Sequence, residues 1–543
     1  MIRPGDALRA RPPGRGRTGG PGGRAGRAEI VVIGAGHNGL TCAAYLARAG
    51  REVVVIEARD EVGGCAATVD AAGARVNVCN CDHTMVLASG IVEELGLPSY
   101  GLRYLDIDPV QIAVGWDESP AFVQWRSAER TVAGLARTDP AAAAAYRRYL
   151  REALPAARLM LAVQGSRAST RLMIAAAARL GLRGSGTLLR WARRSLLGVL
   201  SGFGFPPWLI AAAATSGPAV WGLPPDAADT GLAALGFAVR HLVGVGRPEG
   251  GSGALPAALA ACLRAHGGQI VTGARAVGVT VSDGRVRGVR LADGGQVAAD
   301  TVINATDPRT LLVDWLDGVP AAAKTRARHA ARARREGYES KVDAVAGTPP
   351  LPRAVAAIDP DLLPAALRNV PTIVISPAPA QQIAAAAALR DGLVSDPPMF
   401  LVNTPSVRDP AMRPAPGAHV VSLEVLWTPY ALRGGWAGSA EPRRWLERLA
   451  SACEPGLLDS VRAWRAMTPP DYEREFSMDR GYAPSFPGGL LAALTGRQPE
   501  LSRYTTPVRG LYLTGAATFP GAGVWGASGR NAAAVVLAVR PAT

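Results

Sequence analysis

Lysine is almost absent from this chain. Of 59 basic residues only Lys324 and Lys341 are lysines, so the formal charge of +15 is carried by arginine. Alanine, glycine and proline are enriched beside it, which reads as the coding bias of a GC-rich genome. No basic stripe interleaved with aromatics appears, which excludes the usual nucleic-acid surface. The six cysteines, Cys42, Cys65, Cys79, Cys81, Cys262 and Cys453, are too few for a disulfide framework. No CxxC or CxxxxC occurs, so a redox dithiol of the disulfide-reductase type has no motif to use. The CxCxH of Cys79, Cys81 and His83 is not a zinc spacing, and no metal is expected. No apolar run reaches the ~18 residues of a spanning helix, and no apolar h-region follows the first arginines. The expected compartment is therefore the cytoplasm.

What is present is a chain of 543 residues, long enough for more than one domain and a large core. Residues 1–27 are rich in Arg, Gly and Pro with no apolar face, and are expected to be a disordered tail. The folded part is expected to start near Ala28.

From there one unit is complete. EIVVI (29–33) is a β-branched run suited to a buried parallel strand, and GAGHNG (34–39) is a glycine turn. LTCAAYLARAG has helical periodicity and stops at Gly50, and a second strand ends at Glu57. In such a βαβ unit Gly34 permits the tight turn, Gly36 lets the backbone approach a pyrophosphate, and Gly39 lets helix and strand pack closely. The helix N-terminus offers unpaired N–H groups to phosphate. Glu57 suits ribose hydroxyls and repels a 2′-phosphate. Ala35, Asn38 and Ala58 complete this expected dinucleotide site.

The next residues, ARDEVGGCAAT, set Arg59 and the pair Gly63-Gly64 after the acid. Here the chain resembles the glutathione-reductase-type FAD superfamily, in its branch with amine oxidases and phytoene desaturases. GHNGLTCAAYLARAG, HVVSLEVLWTPY, EPGLLDSVRAWRAMTPPDYEREF and RGLYLTGAATFPGAGVWGASGRNAA narrow the resemblance. They are similar to pyridine nucleotide-disulfide oxidoreductase domain-containing protein 2 and its bacterial relatives, within the phytoene-desaturase-like flavoproteins. One stretch departs: SMDRGYAPSFPGGL stands where relatives carry a glycine-rich segment with histidine.

The resemblance implies FAD as cofactor. It implies an α/β fold: a discontinuous, glutathione-reductase-type Rossmann-like FAD domain with a mixed α+β substrate domain and a helical cap. The FAD domain is expected in residues 28–105, 241–306 and 481–543, a mostly helical cap or substrate domain in 106–240 and the substrate-binding domain in 307–480. It further implies that the backbone at Val277 meets the adenine. Gly515, Ala516 and Val524 would lie near the flavin ring.

The chemistry implied is hydride transfer to flavin from a small hydrophobic polyene, terpenoid or specialised metabolite. Asp82 and His83 are candidates for acid/base work, though both equally suit a pocket lining or packing. Arg530 could neutralise reduced flavin or cap the last helix, and Trp525 could stack on the ring or fill core. The arginine-flanked stretch TLLRWARRSLLGVLSGFGFPPWLIAAAATS (187–216) reads either as a peripheral membrane contact or as a packed cap. An amine or amino-acid oxidase is the alternative within the superfamily, but neither lysine sits in a matching motif. A flavin-bound scaffold without turnover is the third reading.

Overall fold

The structure, a computed structural model, describes residues 26–79, 81–164, 174–175, 178–337, 339–496 and 498–539. The expected tail at 1–27 lies outside them except for its last two residues, and the first strand already includes Arg27.

Along the chain, β1 (Arg27–Ile33), helix α1 (His37–Arg48) and β2 (Val53–Ile56) form the βαβ unit read from the sequence. β2 is buried at every position, as a run of Val and Ile in a parallel sheet covered on both faces must be. A hairpin follows, β3 (Thr68–Ala71) with β4 (Ala74–Asn77), then helix α2 (Thr84–Ser89) and β5 (Tyr104–Ile107). Residues 106–240, expected as a mostly helical cap or substrate domain, begin with two strands, β6 (Gln111–Gly115) and β7 (Phe122–Gln124). Only then do the helices start, among them α3 (Pro140–Gln164), α4 (Pro207–Thr215) and α5 (Gly236–Val243). QIAVG is too short and too β-branched for a helix of its own, and β6 pairs parallel to a strand from far down the chain. β8 (Val245–Pro248) returns antiparallel to β5, and α6 (Ala254–Ala265) leads to β9 (Gln269–Val271).

Next come β10 (Ala276–Ser282), β11 (Arg285–Leu291) and β12 (Gln296–Asn304), joined at Asp283-Gly284 and Asp293-Gly294-Gly295. The second sheet takes β13 (Glu339–Ala346), β14 (Thr372–Ser376), β15 (Met399–Asn403), β16 (His419–Leu426) and β17 (Val461–Met467). β18 (Leu511–Leu513) and helix α7 (Ala527–Ala538) close the described chain.

Two seven-stranded sheets result. The first has the order β10-β11-β12-β1-β2-β9, with β18 also on β12. Its centre is parallel: β12, β1, β2 and β9 run together. β12 is long enough for two partners on one edge, β11 beside Gln296–Ala298 and β18 beside Val302–Asn304. Helix α1 is buried over ten of its twelve residues, held between the sheet and α7. The contact is close because Gly529 has no side chain; a Cβ there would sit 2.2 Å from the Asn38 carbonyl. The second sheet runs β17-β13-β16-β15-β14-β6-β7 and is antiparallel except where β14 meets β6. The 187–216 stretch places Leu188, Trp191, Leu196, Val199, Leu200, Leu209 and Ile210 in the core and leaves Leu189 outside. Its apolar side chains are thus mostly committed to packing. Among the described residues no helix is long and apolar enough to cross a membrane.

Candidate functional site

One cavity of about 1850 Å³ runs from the C-terminal ends of β1 and β2 to the helices of the cap. Its first wall is the glycine turn. Gly34 has φ +101°, a conformation only glycine adopts without strain. A Cβ on Gly39 would stand 2.1 Å from the Gly34 carbonyl oxygen, so turn and helix can touch only with glycine there. Gly36 is different. Its φ of −69° is ordinary, and a Cβ would meet nothing within 4 Å because the position faces the cavity. The N-terminus of α1 opens onto that space, and no acidic residue lies in its first turn.

Glu57 is buried and its carboxylate fixes two backbone segments. Oε2 accepts the Ala35 N–H at 2.7 Å and Oε1 accepts the Arg59 N–H at 2.9 Å. Ala35 does not line the cavity; it is fully buried, and its carbonyl accepts the Gly63 N–H. Its part is to hold Glu57 and the Gly63-Gly64 turn in place. Gly34, Gly36, Asn38, Gly39, Glu57, Ala58, Arg59, Gly63, Gly64, Val277, Gly515, Ala516, Val524 and Trp525 all line the one cavity, although they come from three separate stretches.

Two buried polar atoms on this wall lack a partner: Asn38 Oδ1 and Arg59 Nη1. The Arg59 guanidinium lies over the Phe476 ring at 4.5 Å, which leaves its edge for an anion. An unpartnered buried guanidinium nitrogen, an open Gly36 and a helix N-terminus together fit the pyrophosphate of FAD. His37, in the same turn, is held near Gly523 O at 3.2 Å, and burial pushes its pKa down to about 4. It is neutral at pH 7 and adds no charge beside the phosphates.

The expected chemical residues are placed less favourably. His83 is fully buried and does not line the cavity. Its Nδ1 meets Tyr104 Oη at 3.0 Å and its Nε2 meets Ser252 Oγ at 3.2 Å. Burial lowers its pKa to about 3, so it is neither a base within reach of substrate nor charged at neutral pH. Asp82 does line the cavity, but its Oδ1 accepts Arg247 Nε at 2.8 Å and its Oδ2 accepts the Thr372 hydroxyl. Arg530 faces away: it donates to Ser89 O and pairs with Glu94 Oε1, both at 2.7 Å, and so ties α7 to the end of α2. The reason is common to all three. Sequence proximity to the glycine turns placed them near the flavin, but each is consumed by a neighbouring element.

Because His83 is held neutral, protons bind the unfolded chain more readily than the native one below the ordinary histidine pKa of 6.5. Its contribution to stability is complete above pH 6.5 and is lost as pH falls toward about 3. His83→Gln should therefore flatten the acid side of the stability curve while flavin reduction stays within about 3-fold of wild type. Urea melts between pH 4 and pH 7 check the first part. A loss of reduction rate of 100-fold or more would return His83 to the chemistry.

Lys341 is fully buried, bonded to the Asn77 carbonyl and to Asp343 Oδ1 at 2.7 Å, and it does not line the cavity. Asp343 is shared with Arg465 at 3.2 Å. Three further features escaped the sequence reading. Arg240 lines the cavity from α5. Arg247, on β8, ties the segment before α2 to β14 and β15 of the second sheet. The Cys65 thiol donates to Met478 Sδ at 3.3 Å and lines the cavity, and its interaction with the neighbouring Cys79 thiol pushes Cys79 up and Cys65 down in pKa. No CxxC spacing announces this pair; the two residues flank the β3–β4 hairpin on either side.

Comparison with known proteins agrees with this geometry. The family model for flavin containing amine oxidoreductase matches residues 39–334. The mouse pyridine nucleotide-disulfide oxidoreductase domain-containing protein 2 is 29% identical over 94% of this chain and 93% of its own length. A component of the limonene dehydrogenase of Castellaniella defragrans is 26% identical over 94% of each chain. A solved structure of a redesigned putrescine oxidase superposes with a TM-score of 0.59 at 17% identity, covering 94% of this chain and 99% of that one.

Proposed function

The chain belongs to the flavin containing amine oxidoreductase family and is an FAD-dependent oxidoreductase; from that premise we propose that it takes hydride from a carbon–hydrogen bond of a hydrophobic polyene, terpenoid or specialised metabolite, making or moving a C=C bond. The observation that carries this reading is the lining of the cavity beyond the cofactor wall. Met85, Met160, Trp221, Leu223, Leu232 and Phe237 make it apolar, and its charge is positive: with Arg59 and Glu57 of the cofactor wall set aside, seven arginines line the cavity against four carboxylates. A cationic amine would enter such a space against the field. The relative named as a limonene dehydrogenase component supports the same direction.

Bound along the glycine turn, FAD supplies the two-electron acceptor. The protein does the rest. Asn38, Arg59 and the α1 N-terminus would hold its phosphates, Glu57 would orient its ribose, and the apolar cap side chains align the substrate. Among the described residues Asp82 is the only carboxylate on the wall next to α2, and it is committed to Arg247 and Thr372. A proton leaving the substrate is therefore taken by water or by a weak acceptor, which allylic or polyene C–H bonds tolerate.

The test is anaerobic mixing of the purified holoprotein with a panel of polyenes, cyclic terpenes and primary or secondary amines. Bleaching of the visible flavin band by the hydrocarbons and not by the amines is expected. Bleaching by amines alone, with hydrogen peroxide on readmitting oxygen, would overturn the proposal in favour of an amine oxidase.

A further inference from the structure

We propose that Arg240 is the receptor for a carboxylate on the substrate, so that the natural substrate is a hydrophobic molecule that carries an acid group. The proposal rests on the reading of the cavity as a site for hydrophobic substrate and narrows its class.

Arg240 sits in the last turn of α5, beside Phe237 and Val239, which line the same cavity. The side chain is partly exposed, and the space it is exposed to is the cavity, since protein surrounds it on the other sides. Burial pushes its pKa below the ordinary arginine value, yet a guanidinium does not give up its proton near neutral pH. The charge therefore stays, in a place where charge is disfavoured.

Among the described residues nothing compensates it by contact. No hydrogen bond or ion pair to the Arg240 guanidinium is formed there. The groups whose fields reach it are already engaged. Asp82 binds Arg247 and Thr372. The Tyr146 hydroxyl lies 2.8 Å from His241 Nε2, and the Tyr149 hydroxyl donates to the Ala234 carbonyl.

Most other arginines of the cavity are engaged or less enclosed: Arg275 donates to Ser477 Oγ at 3.1 Å, and Arg332, which also lacks a side-chain partner among the described residues, is less deeply enclosed than Arg240. Arg334 pairs with Asp479, Arg309 donates to His329 O at 3.1 Å, and Arg335 donates to Trp221 O and Tyr482 Oη at 3.3 Å. Arg59 lacks a partner but lies on the phosphate wall, and Arg193 is exposed. Arg240 is thus a fork of donors aimed into an apolar chamber and left open. A planar carboxylate matches that fork with two parallel bonds. A phosphate dianion matches it less well, because one arginine leaves half of its charge unmet and Asp82 stands close by.

The experiment uses the FAD-loaded protein and isothermal titration with decanoate and with methyl decanoate, a pair that differs only in the charged head. Wild type should bind decanoate more tightly than the ester. Arg240→Leu should weaken decanoate by roughly 30-fold or more, the factor expected for removing one partner of an enclosed charge pair. The ester should change by less than about 3-fold, and Arg240→Lys should fall between, since it keeps the charge and loses the fork. Flavin content and the flavin midpoint potential, read in parallel, show whether the variant still folds and whether the charge serves the cofactor. Equal binding of acid and ester by wild type overturns the proposal. So does an Arg240→Leu variant that shifts the potential and weakens both ligands alike. If decanoate binds through Arg240 while no polyene or terpene reduces the flavin, the anion site stands and the desaturase reading falls.

Discussion

Gly36→Ala should leave the melting temperature of the apoprotein unchanged or slightly raised and should weaken FAD binding, whereas Gly39→Ala, three residues on, should prevent the nucleotide lobe from forming. The two glycines look alike in the sequence and differ in what a methyl group would meet. At Gly36 the backbone is in an ordinary conformation and the added Cβ has no protein atom within 4 Å. Gly→Ala at such a site stabilises by about 0.4–1 kcal/mol through the unfolded chain. The space the methyl takes is the space the pyrophosphate needs. Overpacking of ~1–3 kcal/mol corresponds to a loss of affinity of roughly 10- to 100-fold. At Gly39 the Cβ would lie 2.1 Å from the Gly34 carbonyl oxygen and 3.0 Å from Ala305 Cβ. Neither is a flexible tip, so β1, α1 and β12 would have to separate, at a cost of about 3 kcal/mol or more. Thermal melts with and without FAD, joined to titration of FAD fluorescence, distinguish the two. A Gly36→Ala protein that binds FAD as wild type does would mean that the phosphates do not lie over this turn.

That contrast also marks how far the sequence could be read. The βαβ unit was legible because its parts are local: a β-branched run, a glycine turn, a periodic helix and an acid at fixed spacing. The return of the chain through β12 and β18 to the same sheet was legible only through resemblance, as short strands far apart carry no local sign of pairing. The two strands at the head of the cap region were not legible. β6 is stabilised by β14, more than 250 residues away, and its five residues say nothing of that. Polar residues were the hardest. Asp82 and His83 were singled out for standing near the flavin turns, but whether a carboxylate is free or engaged depends on Arg247 and Thr372, which arrive from β8 and β14. Arg240 gave no signal at all. It is one arginine among many, and only the enclosure of its side chain sets it apart.

Arg247→Leu should be the most destabilising single change outside the glycine turn. The side chain is buried, and its guanidinium donates to Asp82 Oδ1 at 2.8 Å, Val370 O at 2.7 Å, Asn403 Oδ1 at 2.9 Å and Thr372 Oγ1 at 3.3 Å. It thereby joins the segment leading into α2 to β14 and β15 of the second sheet. Leucine fills part of the volume and leaves the Asp82 carboxylate and the Val370 carbonyl short of donors inside the protein. Breaking a buried pair in this way costs about 3–5 kcal/mol. Arg247→Lys retains one charge but cannot reach all four partners, and should lose about half as much. The pair is also testable for coupling. Adding Asp82→Asn to Arg247→Leu should recover stability relative to Arg247→Leu alone, because the amide needs no counter-charge, with an interaction energy of about 1–3 kcal/mol. Urea midpoints of the four proteins give the cycle directly. If the double variant folds, binds FAD and still reduces its flavin with substrate, Asp82 is a clamp between β8 and β14 and not a base. If it folds and binds FAD but no longer reduces it, while Arg247→Leu alone still turns over, the carboxylate on the cavity wall does take the proton.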